Sequence, residues 1–492
     1  MNEVIIQFFE WYYPVDGTLW KKVSEEAAFL KNAGISAVWL PPAFKGSRGI
    51  NSEGYDVYDL YDLGEFDQKG SVRTKYGTKQ EYIHAIRTLQ QQNIKVYADI
   101  VLNHLGGADE TEKVMARKVD PENRNQFTST PFEIEANTRF TYPNRKKKYS
   151  AFEWDYNCFT GVDCAKGIDE KCIYTLVNDY GESWEEVIGE EKGNYDYLMF
   201  SDIEFRNPAV REELKRWGKW YFETAGFDGI RLDALKHISP DFYNEWLDYM
   251  RTHVKHDLLV IGECWFPDNI DVLLEYIKAT ESRIHLFDVP LHYHFHNASK
   301  AGKEFDMRTI FNNTLVGVRP DLAVTFVENH DTQPFQSLES AVDPWFKPLA
   351  YALILLRQEG LPCVFYCDLY GSCYTEKLLD GTIQQVTMPI ISSLEKLLMA
   401  RKEYGWGKQY DYFDHPNCIG WVREGDGSHK PCAVIMSNGE AAEKEMQIGK
   451  QYAGKCFIDL LGLQASEVWL NQDGIGKFQA GAGSVSVWVP KE

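Results

Sequence analysis

A chain of 492 residues with 44% apolar and 14% aromatic content is long enough for two or three domains and can bury a large core. Its formal charge of -21 opposes association with phosphate backbones and anionic lipid, which excludes nucleic acid and membrane surfaces as favoured partners. No apolar run approaches the roughly 20 residues that cross a bilayer. The start MNEVIIQFFEWYYP has neither a basic leader nor a small-residue cleavage site, so a soluble, cytoplasmic chain is expected.

Along the chain, short apolar runs recur between amphipathic segments: VIIQFF, SAVWL, IKVYADIVL, GIRLD, LLVIGE, HLFDVP, AVTFV and PCVFY. Eight such runs alternating with helical patterns predict a parallel (β/α)8 barrel, an α/β fold of the TIM type. The spacing fails once, between the third run and FRNPAV. About a hundred residues there exceed an ordinary barrel loop, so 103–206 reads as an inserted subdomain between barrel segments 1–102 and 207–396. Within it, NRKKKYS reads as a solvated loop.

The helix that follows is legible in detail. Asn207 is placed to cap it, Pro208 takes its first turn, and Val210, Leu214, Trp217 and Tyr221 form its apolar stripe. Gly226 ends it and launches GFDGIRLDALKHI. From about residue 397 the pattern turns to β alternation, as in SVSVWV, where Val485, Val487 and Val489 share a face. Residues 397–492 are therefore expected to form a C-terminal β-sandwich. The ten cysteines fall at irregular intervals with no C-x-x-C pair, which fits reduced thiols better than a disulfide frame or a zinc site.

In GFDGIRLDALKHI, period-two alternation puts Gly229, Arg231 and Asp233 on one face and Ile230, Leu232 and Ala234 on the other. Side chains at the C-terminal ends of barrel strands converge on the mouth where chemistry is built. Asp99, Asn103 and His104 follow the third strand, Asp233 ends the fourth, Glu263 ends the fifth and Asp331 follows the seventh. A buried arginine needs a carboxylate to accept its fork, and Arg231 beside Asp233 supplies that pair. Two carboxyls in different environments on neighbouring strands are what glycosidic cleavage requires. One attacks or balances the anomeric carbon, and the other protonates the departing oxygen.

The segments DIVLNH, GIRLDALKHI, GECW and FVENHD resemble the four signature regions of the alpha-amylase family of glycoside hydrolases, in order and at the right separations. The likeness extends through QFFEWYYPVDG, GYDVYDLYDLGEF, GNYDYLMFSDIEF and FDVPLHYHFH, and is greatest to bacterial liquefying-type members and cytoplasmic relatives. The resemblance implies a barrel, an insertion after its third strand and a C-terminal sandwich. It implies a retaining, endo-acting alpha-amylase that hydrolyses alpha-1,4-glucosidic bonds in starch, glycogen and maltodextrins. Asp233 would be nucleophile, Glu263 general acid and then base, and Asp331 the residue that holds sugar hydroxyls.

His104, Arg231 and His330 match positions that hold the sugar ring, and Trp11 and Tyr55 match aromatic platforms around it. Lys236, His237 and Trp265 match the leaving-group side. The resemblance also implies one calcium ion on Asn103, Asp196, Asp202 and the backbone carbonyl of His237, all oxygen donors suited to a hard cation. Glu204 stands where secreted relatives use an aspartate for further metal ions, and Cys264 replaces a tyrosine common after the acid. The expected partner is an alpha-glucan, and the expected state a monomer.

Two alternatives share the fold: a transglycosylase with the same carboxylates, and a non-catalytic relative that only binds glycans. His285, His292, His294 and His296 raise a metal hypothesis as well, but an H-x-H pair after the sixth strand reads better as structural.

Overall fold

The computed structural model describes residues 2–168, 172–378 and 380–491. Each of the eight anticipated runs forms a strand: Ile5–Gln7, Ala37–Leu40, Lys95–Ile100, Gly229–Leu232, Leu259–Gly262, His285–Phe287, Ala323–Phe326 and Leu361–Phe365. They close into one parallel barrel in chain order, the first strand beside the eighth. These strands read as continuous apolar runs because helices cover a parallel sheet from outside while side chains fill it from within.

The chain divides into two compact units, one of Met1–Tyr12, Ala28–Val38 and Phe287–Glu492 and the other of Tyr13–Ala27 and Trp39–Leu286. This division cuts through the barrel and differs from boundaries drawn at 103, 207 and 397. In the second unit, residues between the third and fourth barrel strands build a six-stranded antiparallel sheet. Its order is His104–Leu105, Ser201–Ile203, Phe159–Val162, Tyr174–Leu176, Glu110–Lys118 and Phe132–Arg139. Because it starts directly from the residues after Lys95–Ile100, it groups with the strands it interrupts.

In the first unit, six strands from Gln409–His415 to Ser484–Pro490 form an antiparallel sheet, and Ala442–Gln447 pairs with Ile475–Ala480. Their shared core holds Trp488, Phe457, Phe478 and Met446. The last strand departs from simple alternation. Val485, Val487 and Val489 are buried, but so are Ser486 and Trp488 on the other side. Trp488 enters the sandwich core, while the helix Lys347–Leu356 packs against this strand. That helix is buried nearly all round, as its apolar sequence after Lys347 requires. A hairpin of Ser372–Lys377 and Ile383–Met388 follows the eighth strand, where no element was anticipated.

The helix Pro208–Ala225 forms as its sequence dictates. Asn207 Oδ1 accepts from the amide of Ala209, Pro208 occupies the first turn, and Gly226 closes the helix at φ 73°. Val210, Leu214, Trp217 and Tyr221 are fully buried. Asn207 Nδ2 also donates to the Asn157 carbonyl at 3.0 Å, tying the helix start to the inserted sheet. Asn207→Ala is expected to lower unfolding free energy by about 1 to 2 kcal/mol, read as a shift in the urea midpoint at unchanged slope.

Candidate active site

In the second unit, the fourth strand is threaded closely between its neighbours. A Cβ on Gly229 would lie 2.6 Å from the Tyr97 ring, so only glycine fits. Two residues on, Arg231 pairs in register with Asp99 on one side and Ile261 on the other. Its guanidinium is 1% exposed. Nη1 donates to Asp233 Oδ1 at 2.6 Å and to Asp99 Oδ1 at 3.0 Å, while Nη2 lies 3.6 Å from Glu263 Oε2.

One cation thus meets three carboxylates, and its Cζ lies over the Trp39 ring, 5.0 Å from the ring centre. Asp99 is the buried anchor: its Oδ2 accepts from Trp39 Nε1 at 2.9 Å and from the Tyr55 hydroxyl at 2.8 Å. Burial raises the Asp99 carboxyl above its ordinary range, with Arg231 pulling it back. Burial opposes the charge on Arg231, yet Asp99, Asp233 and Glu263 outweigh it and hold the guanidinium protonated.

The turn after this strand sets the second carboxylate. Ala234 adopts the left-handed conformation at φ 53°, a strain of about 1 kcal/mol or more for a residue with a Cβ. That conformation turns its amide onto Glu263 Oε2 at 2.9 Å. The amide of Glu263 donates to the Leu232 carbonyl, and the amide of Leu235 to the Glu263 carbonyl, each at 2.9 Å. Strand and turn therefore fix both acids against one arginine: Asp233 directly, Glu263 through the strained amide.

Around this cluster, His104 is buried and donates from Nε2 to the Tyr55 carbonyl at 2.7 Å. Burial lowers its pKa, so the ring is neutral. Lys236 Nζ donates to Glu191 at 2.8 Å and to the Trp265 carbonyl at 3.3 Å, over the rings of Tyr195 and Phe266. His237 is held by the Tyr195 carbonyl, and burial followed by the Lys236 charge lowers it to about 3. Within this unit the fold brings Tyr55, His104, Arg231, Asp233 and Glu263 together, and links Lys236 with His237 and Trp265.

In the first unit, Asp331 lies in the turn after the seventh strand, its amide donating to Asn329 Oδ1 at 2.9 Å. His330 is buried, accepts from Gln7 Nε2 at 3.1 Å and approaches Asp331 at 3.4 Å. Trp11 stacks parallel to the His330 ring at 6.1 Å. Sequence reasoning did not include Gln7, Trp39, Glu191 or Tyr195 among the site residues, and it set Asp99 after the third strand without a role, whereas Asp99 lies within Lys95–Ile100. Asp99 carried a usable signal, as an acid inside an otherwise apolar strand.

The residues expected to hold calcium also lie in the second unit. Asp196 and Asp202 are 2% and 1% exposed. Asn103 Nδ2 donates to Asp202 Oδ1 at 3.0 Å, whereas Asn103 Oδ1 is buried with no hydrogen-bond partner among the described residues. Burial, then the charge of Asp202, raises Asp196 far above the carboxylate range. Asp202 is raised too, by burial and then by Glu185 and Glu204. Glu185 is pushed up to about 9 by burial, Asp196 and Glu204. A starved amide oxygen beside buried, mutually repelling carboxylates fits a hard cation. Glu204 is instead neutralised by Arg206, which donates from Nε to Oε1 at 2.7 Å and from Nη2 to Oε2 at 2.6 Å.

The histidines after the sixth strand are bound to protein oxygens. His292 uses Nδ1 for the Val327 carbonyl and Nε2 for Ser340, while His294 and His296 bond the carbonyls of Ile310 and Ala341. Among the described residues, no group of three or more His, Cys, Asp or Glu is arranged to hold a metal ion. The oxygen set on Asn103 has only two such side chains and is of a different kind.

Residues 15–410 match the family model described as alpha amylase, catalytic domain, and residues 433–489 match alpha-amylase C-terminal. An alpha-amylase of Geobacillus stearothermophilus is 49% identical over all of this chain and 87% of its own. A cytoplasmic alpha-amylase of Escherichia coli is 47% identical over all of this chain and 99% of its own. In fold, the chain is similar to an alpha-amylase from Geobacillus thermoleovorans solved with acarbose, with a TM-score of 0.65 at 19% identity over 100% and 98% of the two chains.

One pH dependence follows from the histidines. Burial lowers His292 from 6.5 to about 4, so the folded state refuses a proton that the unfolded chain accepts. Its contribution to stability is fully present above pH 6.5 and is lost as pH falls through about 4, a total of about 3 kcal/mol. Urea midpoints of His292→Gln should decline less steeply than those of the unmodified chain between these pH values.

Proposed function

We propose that this chain, which belongs to the alpha-amylase family of retaining glycoside hydrolases acting on alpha-1,4 bonds, works as an endo-acting enzyme with Asp233 as nucleophile. The observation that carries this assignment is Arg231, which donates to Asp233 at 2.6 Å and stands 3.6 Å from Glu263. Retention calls for two carboxyls about 5 Å apart, and one guanidinium touching both favours that arrangement.

In the first half-reaction Asp233 attacks the anomeric carbon while Glu263 gives its proton to the departing oxygen, forming a glycosyl ester and a shortened chain. In the second, Glu263 takes a proton from water as the water oxygen displaces Asp233. The Ala234 amide holds Glu263 in line through both steps. Asp331 is assigned to the sugar hydroxyls, with His104, His330, Trp11 and Tyr55 around the ring and Lys236, His237 and Trp265 toward the leaving group. Neutral His104 suits a hydrogen bond to a hydroxyl.

Asn103, Asp196, Asp202 and the His237 carbonyl would hold calcium. The ion would neutralise buried carboxylates and clamp the inserted sheet, without taking part in bond cleavage. A cytosolic setting is supported by ten free cysteines and by the cytoplasmic relative in Escherichia coli. Such a setting favours glycogen and maltodextrins as substrates.

Incubation with maltoheptaose, followed by NMR of new anomeric protons, tests the catalytic roles. Short products should appear first as alpha anomers, and Asp233→Asn and Glu263→Gln should each lower kcat on the order of 10^4-fold without changing the fold. Near-normal turnover in either variant removes that residue from its role, and products longer than the substrate point to transglycosylation. Chelation should lower the thermal midpoint by several degrees and added calcium restore it, with Asp202→Asn insensitive to both. An unchanged midpoint on chelation defeats the calcium assignment.

A further inference from the structure

In the first unit, Trp11 follows the strand Ile5–Gln7 in a turn, outside the ladder that would otherwise fix its place. Side chains hold it instead. The Trp11 amide donates to Gln333 Oε1 at 2.9 Å. Gln333 is fully buried, and its Nε2 donates to Glu10 Oε2 at 3.1 Å. The other oxygen of Glu10, itself buried, accepts from the Ser372 hydroxyl at 2.5 Å. A chain of hydrogen bonds therefore joins the turn after the first strand, the loop after the seventh and the hairpin that starts at Ser372.

The chemistry at each link fixes the direction of the chain. A backbone N–H only donates and an ionised carboxylate only accepts, so the residue between them has to present an acceptor to one and a donor to the other. The Gln333 amide does both, where Glu would offer only acceptors and Leu neither. Its backbone is restricted as well, because Pro334 follows it and favours the extended region. The Pro334 carbonyl accepts from the Tyr374 hydroxyl at 3.1 Å, and the Tyr374 ring stacks on Tyr12 at 3.8 Å and 11°. Gln336 Nε2 donates to the Tyr12 hydroxyl at 2.9 Å. Both neighbours of Trp11 are thus tied to the same loop and hairpin. That loop also closes on itself, with Asn329 Oδ1 accepting from the amides of Asp331 and Thr332 at 2.9 and 3.1 Å. It carries His330, Asp331 and Gln333 together, and Trp11 stacks on His330 at 11°.

We propose that Gln333 is a positioning residue, which sets the Trp11 platform in register with His330 and Asp331 and is itself held by the hairpin through Glu10 and Ser372. The role rests on the assignment of Trp11 and Asp331 to the sugar made above. A displaced platform loses contact with substrate and transition state alike, so the effect falls on KM and spares kcat.

Kinetics on maltoheptaose test this. Gln333→Leu removes both bonds and should raise KM about tenfold with kcat within about twofold. In a Trp11→Ala background the same substitution should add nothing, because the platform it serves is gone. Gln333→Glu sets a second carboxylate against Glu10 and should also raise KM, and joining it to Glu10→Gln restores a donor facing an acceptor and should return KM to near its original value. If Gln333→Leu does not fold, this exchanged pair and Ser372→Ala, at the half-buried start of the hairpin, carry the test. Ser372→Ala should raise KM about threefold, and only while Trp11 is present. Additive losses with Trp11→Ala, or no recovery in the exchanged pair, overturn the positioning role while cleavage by the unmodified chain leaves the catalytic reading intact. Absence of cleavage by the unmodified chain overturns the catalytic reading itself.

Discussion

A buried arginine organises the strand Gly229–Leu232 and its neighbours. Arg231 cannot reach water, so its charge has to be met by protein groups, and the third, fourth and fifth strands each deliver a carboxylate to it. Leaving a buried charge without its partner is far costlier than the pair itself is favourable. The geometry of Asp233 and Glu263 is therefore coupled to the packing of three strands, which flexible surface acids would not be. Asp99 makes this possible from beneath, since Trp39 and Tyr55 fill its other oxygen and leave the first for the guanidinium.

The inserted sheet presents the opposite electrostatic problem. There Glu185, Asp196, Asp202 and Glu204 crowd together, and Arg206 is committed to Glu204 by two hydrogen bonds. The protein answers Glu204 with its own cation and leaves Asp196 and Asp202 without one, beside an Asn103 amide oxygen that has no hydrogen-bond partner among the described residues. The same chain thus uses an internal guanidinium in the barrel, and the calcium proposed above would play the corresponding part in the insertion.

Much of this was legible in the sequence. All eight barrel strands coincide with apolar runs bounded by helical patterns, and the cap at Asn207 and stop at Gly226 follow from local chemistry. Arg231 and Asp233 are two residues apart, so period-two alternation places them together. Asp99 lies 132 residues from Arg231, and only strand register joins them. The left-handed Ala234 could not be foreseen either, because nothing about alanine announces φ 53°. Tyr195 and Glu191 reach Lys236 from an irregular stretch of the insertion, where no periodicity constrains position. The final strand was half read: the valine face was visible, but the burial of Ser486 and Trp488 depends on a second layer built from distant chain.

The pairing of the first strand with the eighth bears on biosynthesis. Ile5 lies opposite Cys363, and residues Met1–Tyr12 belong with Ala28–Val38 to a compact unit completed by Phe287–Glu492. At about 5 to 20 residues per second, the N-terminal strand emerges roughly 20 to 70 s before its partner exists. Over that interval IIQ is an apolar segment with open backbone hydrogen-bonding edges, while the residues up to Leu286 have time to form their own unit on the ribosome. The brevity of this strand, three residues, limits how well it can template a wrong partner during the wait.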